Sequence, residues 1–180
     1  MRPTESGFTI IELVVVVILL GILAATALPR FMNVDSEAHQ SVVDGVQGGL
    51  QTGMSLYHAQ WLAEQEPAAN TRIAEFNNLR TNANGFPYGT ANRSANGSNV
   101  TSAADCMAVF TGVLQAGAPS VSQVAAAANV VGSATAFTAV VNGVDCDFYY
   151  TAQYNTAGSV VPLLHYTSTT GVVDSTAVTL

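Results

Sequence analysis

The sequence predicts an α+β protein in which a long N-terminal helix packs on a small antiparallel sheet, and three observations predict it. Residues 8–28 form one apolar run. Beyond it Phe31, Val34, Ala38, Val42, Val46, Leu50, Tyr57 and Trp61 recur mostly at three- and four-residue steps, the spacing of one helix face. From Ala134 onward the pattern changes to short β-branched and aromatic runs flanking Asn142-Gly143, a strong hairpin signal. At 180 residues, 49% of them hydrophobic, the chain has material for one core and not two.

The apolar run comes first. As a helix its 21 residues reach roughly 30 Å, enough to cross a bilayer once. Its single charge is Glu12, which at a helix centre costs roughly 2.5 to 3.5 kcal/mol, while the fourteen Leu, Ile, Val and Phe residues return about 6 kcal/mol. Insertion survives the acid, but a carboxylate inside a membrane asks for a cationic partner, and neither Arg2 nor Arg30 can meet it on the same helix. Three readings compete: a cleaved secretory signal ending at Ala25-Thr26-Ala27, a plain signal anchor, and a processing device. In the third, the leader 1–7 is cut between Gly7 and Phe8, and the new α-amine of one copy meets Glu12 of another.

The leader ending in Gly7, the run Phe8-Thr9-Ile10-Ile11-Glu12-Leu13, and Gly21 and Pro29 in the apolar segment that follows resemble the N-terminal signature of type IV pilins and of the pseudopilins of type II secretion. Through Pro29-Arg30-Phe31-Met32-Asn33-Val34 into Asp35-Ser36-Glu37-Ala38, the chain is most similar to the mannose-sensitive haemagglutinin group of pilins. The resemblance implies a type IV pilin-like fold and cleavage between Gly7 and Phe8 by a prepilin peptidase, with N-methylation of Phe8. It also implies assembly of identical subunits into a filament by an inner-membrane platform. Phe8, Glu12, Gly21 and Pro29 are then the assembly residues, with local unwinding near Gly21 and Pro29. The chain departs from the family in its leader, where Arg2 is partly offset by Glu5, so orientation rests on the resemblance more than on the flanking charges.

On this reading residues 1–7 are the leader, 8–28 the membrane and filament-core half of the helix, 29–66 its amphipathic half, and 67–180 the head. Pro29 bends the helix without ending it, and Pro67 stops it. Gly45, Gly49 and Gly53 stand four apart and continue a strip with Ala38 and Ser41; the strip is either weak helix or a groove for close backbone approach to the sheet or a neighbouring subunit. Residues 67–104 read as a long loop with one possible turn of helix near Ile73 to Leu79. Asn92, Asn96 and Asn99 each begin an Asn-x-Ser/Thr triplet, read as ordinary loop composition. Residues 117–131 read as a short helix. Strands are expected over 135–141, 144–151 and 160–167, with a turn at Thr170-Gly171 before a fourth. On the second strand Cys146, Phe148 and Tyr150 share the face toward the helix, and Asp145, Asp147 and Tyr149 share the other.

Two cysteines in an exported body predict one disulfide, Cys106 to Cys146, closing a loop of about 40 residues, which contributes roughly 4 kcal/mol in the chain-entropy model. Such a bridge would bring Asp105 beside Asp145 and Asp147. These carboxylates are either Ca²⁺ ligands or a solvated acidic face. His39, His58 and His165 show no metal spacing, no serine sits in a Gly-x-Ser-x-Gly elbow, and no phosphate loop follows a strand. The chain reads as no enzyme and needs no cofactor. With 12 acids against 5 arginines and no lysine, a net charge of -7 excludes direct nucleic-acid binding by a single subunit. The expectation is a filament subunit for attachment, adhesion or motility, held in the inner membrane before assembly and extracellular after it. A secretion pseudopilin and a soluble module starting near Leu28 remain as alternatives.

Overall fold

The computed structural model describes residues 7–93, 97–153 and 156–180, with 29–35 described as helical backbone only. Two compact units, Met1–Ser41 and Val42–Leu180, divide the chain. The first helix, α1 (Ile10–Ala63), contributes to both, and its helical assignment continues through Pro29. It stops three residues short of the expected Glu66. Gln65 and Glu66 take φ of 65° and 53°, left-handed backbone that cannot continue a right-handed helix. The Trp61 indole N–H donates to the Pro67 carbonyl at 2.9 Å and pins the turn.

Among the described residues the second unit holds two sheets and one further α-helix. Strands β1 (Arg72–Ile73), β2 (Leu79–Thr81) and β3 (Pro87–Gly89) make a small antiparallel sheet. Helix α2 (Ala103–Leu114) follows. The larger sheet has the order β4-β5-β6-β7-β8, formed by Val121–Gln123, Phe137–Asn142, Asp145–Tyr150, Val160–Thr167 and Val172–Thr179. Strands β5 to β8 are the expected antiparallel meander, and β4 adds to its edge in parallel.

Several expectations are corrected. The stretch read as a loop over 67–104 contains the small sheet, whose strands of two and three residues are too short to show a period. The possible turn of helix near Ile73 is a 3-10 turn at Ala74–Phe76. The short helix expected over 117–131 is instead β4 and a 3-10 turn at Ala127–Asn129, because residues 121–123 find partners in β5 that local sequence does not reveal. The true second helix begins at Ala103. Its N-cap Ser102 and Asp105 form a reciprocal capping box, and the Ser-x-x-Asp pattern before an apolar run was its available signal. In the hairpin Asn142 pairs with Asp145, so the two-residue loop is Gly143-Val144, with Gly143 at φ 65°.

The main core gathers Val43, Leu50, Met54 and Tyr57 of α1, Val109 and Phe110 of α2, and Phe137, Phe148 and Leu164 of the larger sheet. Phe110 contacts the rings of both Phe137 and Phe148, at centroid distances of 5.3 and 5.0 Å. Cys146, Phe148 and Tyr150 face this core as expected. A second cluster of Val130, Val140, Tyr149, Val161 and Leu163 lies among side chains of the opposite sheet face. The Cys106–Cys146 disulfide ties α2 to β6. The Tyr166 hydroxyl, which burial holds well above the usual phenol range, donates to the Pro87 carbonyl at 2.8 Å and joins the two sheets.

The glycine strip serves the close packing of α1 on α2. A Cβ on Gly53 would lie 2.3 Å from Val113 Cγ1 and 3.1 Å from its carbonyl oxygen, and one on Gly49 would lie 3.0 Å from Leu114 Cδ2. Gly45 has nothing within 4 Å. Gly53→Ala is therefore expected to lower stability by about 1 to 3 kcal/mol through overpacking. Gly45→Ala should raise it by up to about 1 kcal/mol through helix propensity. Denaturant unfolding of the full chain in detergent, with wild type alongside, checks the contrast in sign.

Candidate processing and assembly site

The local sequence fixes where α1 begins. Gly7, Phe8 and Thr9 are not helical, and Ile10 is the first helical residue. Thr9 occupies the cap position. Its N–H and hydroxyl donate to Glu12 Oε2 at 3.1 and 2.8 Å, while the Glu12 N–H donates back to the Thr9 hydroxyl at 3.3 Å. This reciprocal arrangement satisfies donors that a helix start otherwise leaves unpaired. It also places an anion at the positive end of the helix dipole. Glu12 thus has partners inside its own subunit, which a search for a cation on the same helix does not find. The Thr-x-x-Glu spacing was the signal.

Past Glu12 the helix offers almost nothing polar. Residues Ile10–Leu28 form a span of mean hydropathy 2.8 with none of its window buried. Phe8 is 84% exposed, and even Val14, lower in the first turns, is 47% exposed. The Thr26 hydroxyl donates to the Leu23 carbonyl at 3.0 Å and so removes itself from the apolar surface. Gly21 has nothing within 4 Å. This side-chain surface requires either lipid or other apolar helices. Residues 1–6 of the expected leader and the side chain of Pro29 lie outside the described residues.

Among the described residues Asp105, Asp145 and Asp147 do not gather into one metal-holding group. Asp105 is buried on the first turn of α2, where Oδ2 accepts from the Thr101 and Ser102 N–H groups and pairs with Arg93 at 2.9 Å. Asp145 accepts from the Ser168 N–H at 2.7 Å. Asp147 pairs with His165 at 2.6 Å and accepts from the Asn142 amide at 3.0 Å. The disulfide forms, yet its neighbouring acids turn to different partners, and among the described residues no His, Cys, Asp and Glu group of three or more is placed to hold a metal. Arg93 and His165, distant in sequence, are the partners that sequence reading missed. His58 is half-buried and stacks between Phe86 and Trp61, at 4.6 and 5.3 Å. Asn92 accepts a hydrogen bond from Asn70, and Asn96 lies outside the described residues.

Residues 2–28 match the family described as the prokaryotic N-terminal methylation motif. Over 55 residues the chain is 37% identical to the type IV narrow pilus major component PilA5 of Thermus thermophilus, covering 31% of this chain and 47% of that one. It is 39% identical over 56 residues to the type II secretion system core protein G of Pseudomonas aeruginosa, covering 31% and 39%. A fimbrial protein of Neisseria meningitidis is 34% identical over 74 residues, covering 39% and 41%. The chain therefore spans less than half the length of these curated relatives. No solved structure matches it.

Removing the Thr9 hydroxyl tests the cap. Thr9→Val should loosen the helix start by about 1 kcal/mol, and Thr9→Ser should restore it. Amide exchange at the first helical turn of the detergent-solubilised chain reads the change, with protection from Glu12 to Val14 falling about fivefold in the valine variant.

Proposed function

We propose that this chain, a member of the type IV pilin family by its N-terminal methylation motif and its curated relatives, is the structural subunit of a type IV pilus-like filament used for attachment, adhesion or motility. The observation that carries this reading is the N-terminal segment itself. The methylation motif covers residues 2–28, and within it Ile10–Leu28 present an apolar helix surface with one carboxylate in the first turn.

The chemistry runs as follows. A prepilin peptidase cuts between Gly7 and Phe8, and the leader leaves. The apolar segment waits in the inner membrane and then exchanges lipid for identical helices, so little of its surface meets water at any step. Within that bundle the α-amine of Phe8 on one subunit meets Glu12 of another. The Thr9 cap holds the carboxylate in place beforehand, so its oxygens need no reorganisation to receive the amine. A subunit out of register leaves a charge unpaired in a dry environment, which costs several kcal/mol. Gly21 and Pro29 lower helix stability where filament packing calls for local unwinding.

A second reading, a pseudopilin of type II secretion, is favoured by the similarity to the secretion core protein G. Shearing cells and weighing this chain in the released filaments separates the two. The first experiment is mass analysis and N-terminal sequencing of the mature protein, expected to begin at methylated Phe8. A start near Leu28 overturns the filament reading in favour of a soluble module. Glu12→Ala should reduce sheared filament yield at least about tenfold while the head stays folded, since several kcal/mol of unpaired charge are at stake. Fibres at normal length and yield in that variant would remove the docking role of Glu12.

A further inference from the structure

The positive charge of this protein is scarce and its placement is uneven. There are five arginines and no lysine, and Arg72, Arg80 and Arg93 all belong to the small sheet or the chain leaving it. Arg93 is engaged inside the subunit, paired with buried Asp105 and set over the Tyr88 ring. Arg72 and Arg80 differ. They are direct cross-strand partners in the antiparallel β1–β2 pair. Opposed residues on such a pair project from one face with Cβ atoms roughly 4.5 to 5.5 Å apart, where like charges repel. The Arg80 guanidinium is held by neutral acceptors, the carbonyls of Thr90 and Asn70 at 3.2 and 2.6 Å, which orient it without cancelling its charge. Arg72 is exposed. Among the described residues neither makes an ion pair, Glu75 on the turn between the two strands included.

The complementary charge lies on the larger sheet. Asp174 on β8 stands opposite His165 on β7, which stands opposite Asp147 on β6, one row of one sheet face. Asp147 is taken by His165, and Asp145 lies 4.0 Å from the same imidazole. Asp174 is exposed, and the row carries two carboxylates against one histidine, with Asp145 beside it as a third.

We propose that the Arg72–Arg80 pair of one subunit docks on the Asp174 row of a second copy of this chain. The proposal rests on the filament reading and names a contact between heads within it. A carboxylate between two guanidiniums relieves the repulsion built into β1–β2 and matches the fork geometry of arginine. The two patches are different surfaces of one chain, so the contact is head-to-tail and repeats into an open array, the symmetry a filament requires. A polyanion such as nucleic acid is repelled by the net charge of -7. The contact is exposed and weak alone; it orients heads that other interfaces hold together, and it is sensitive to salt.

Charge reversal tests it. Arg72→Glu with Arg80→Glu should lower sheared filament yield about tenfold through like-charge juxtaposition. Adding Asp174→Arg should bring the yield back to within about threefold of wild type, because the swapped signs again attract. The double variant exchanges one like-charged pair for another and gives up the Arg80 hydrogen bonds to the Asn70 and Thr90 carbonyls. The triple variant, which carries the same internal losses, is therefore the folding control: the two should melt alike in detergent while only the triple variant recovers yield. Wild-type yield in the double variant, or no recovery in the swap, overturns the contact. Failure of the filament reading is separate: the wild-type chain itself would then yield no sheared filaments.

Discussion

The structure depends on how one carboxylate is accommodated at the start of an apolar helix. Glu12 sits in the first turn, where free backbone N–H groups and the helix dipole both favour an anion. Thr9 converts that preference into a fixed geometry, with both of its donors on one carboxylate oxygen. Two needs are met by the same atoms. The helix start is capped, so α1 begins after Phe8, and the charge is stabilised before any neighbour arrives. A carboxylate held this way remains able to accept from an amine, because ionised oxygens carry more lone pairs than Thr9 fills. Capping therefore leaves the group able to take the docking role proposed for it.

The head is organised by a different economy. It must hold α2, two sheets and the C-terminal part of α1 together with few charges, since only 9% of residues are charged. Amides and hydroxyls take the place of ion pairs. Gln47 and Gln51 donate to the carbonyls of Val173 and Gly171, and Gln51 accepts from the Val173 N–H, so α1 covers the start of the β8 edge with side-chain amides. The Asn82 amide donates to the Ser168 carbonyl at 2.6 Å, binding the small sheet to the end of β7. Ser122, Ser133, Thr135, Thr138 and Thr151 exchange hydroxyl hydrogen bonds where β4 meets β5. Asp105 and Asp147 are the exceptions, buried carboxylates, and each has a basic side chain against it, Arg93 and His165, as burial demands.

How far sequence reading reached follows from the range of each signal. Long-period features were legible: the apolar run, the helix face through Tyr57, the β5–β8 meander and the cysteine pair depend on local pattern or on simple counting. The glycine strip was legible as a place of close approach, but its partner was not, because α2 lies almost wholly within 105–116, between the expected loop and the expected short helix, where the sequence reading assigns no element. The small sheet was hidden by strands of two and three residues, too short for alternation to register. β4 was hidden because parallel pairing is a non-local event. At the N-terminus Glu12 stands out in the sequence as a charge in an apolar run that asks for a cation, whereas its partner within the subunit is Thr9, a neutral cap three residues away. In the head Asp105, Asp145 and Asp147 were identifiable as acids near the disulfide. Arg93 and His165 reach them only through the fold.

A surface with so few charges gives each remaining charge more weight. In a protein rich in lysine, two arginines facing each other across strands are diluted by neighbours of both signs. Here all positive charge in the unit Val42–Leu180 sits on three side chains, and one of them is already neutralised by Asp105. Arg80 serves the fold by donating to the Asn70 and Thr90 carbonyls, but the antiparallel register between β1 and β2 also sets the exposed Arg72 opposite it, at a cost in repulsion. A polymerising chain supplies a reason for that cost, since every copy presents the same surfaces to its neighbours at high local concentration. In the proposed filament the apolar helix surface is nondirectional, and Glu12 fixes its axial register without fixing how the heads face one another. Orientation of the heads must then come from the sparse polar features, and the opposed guanidiniums are the most polarised of them.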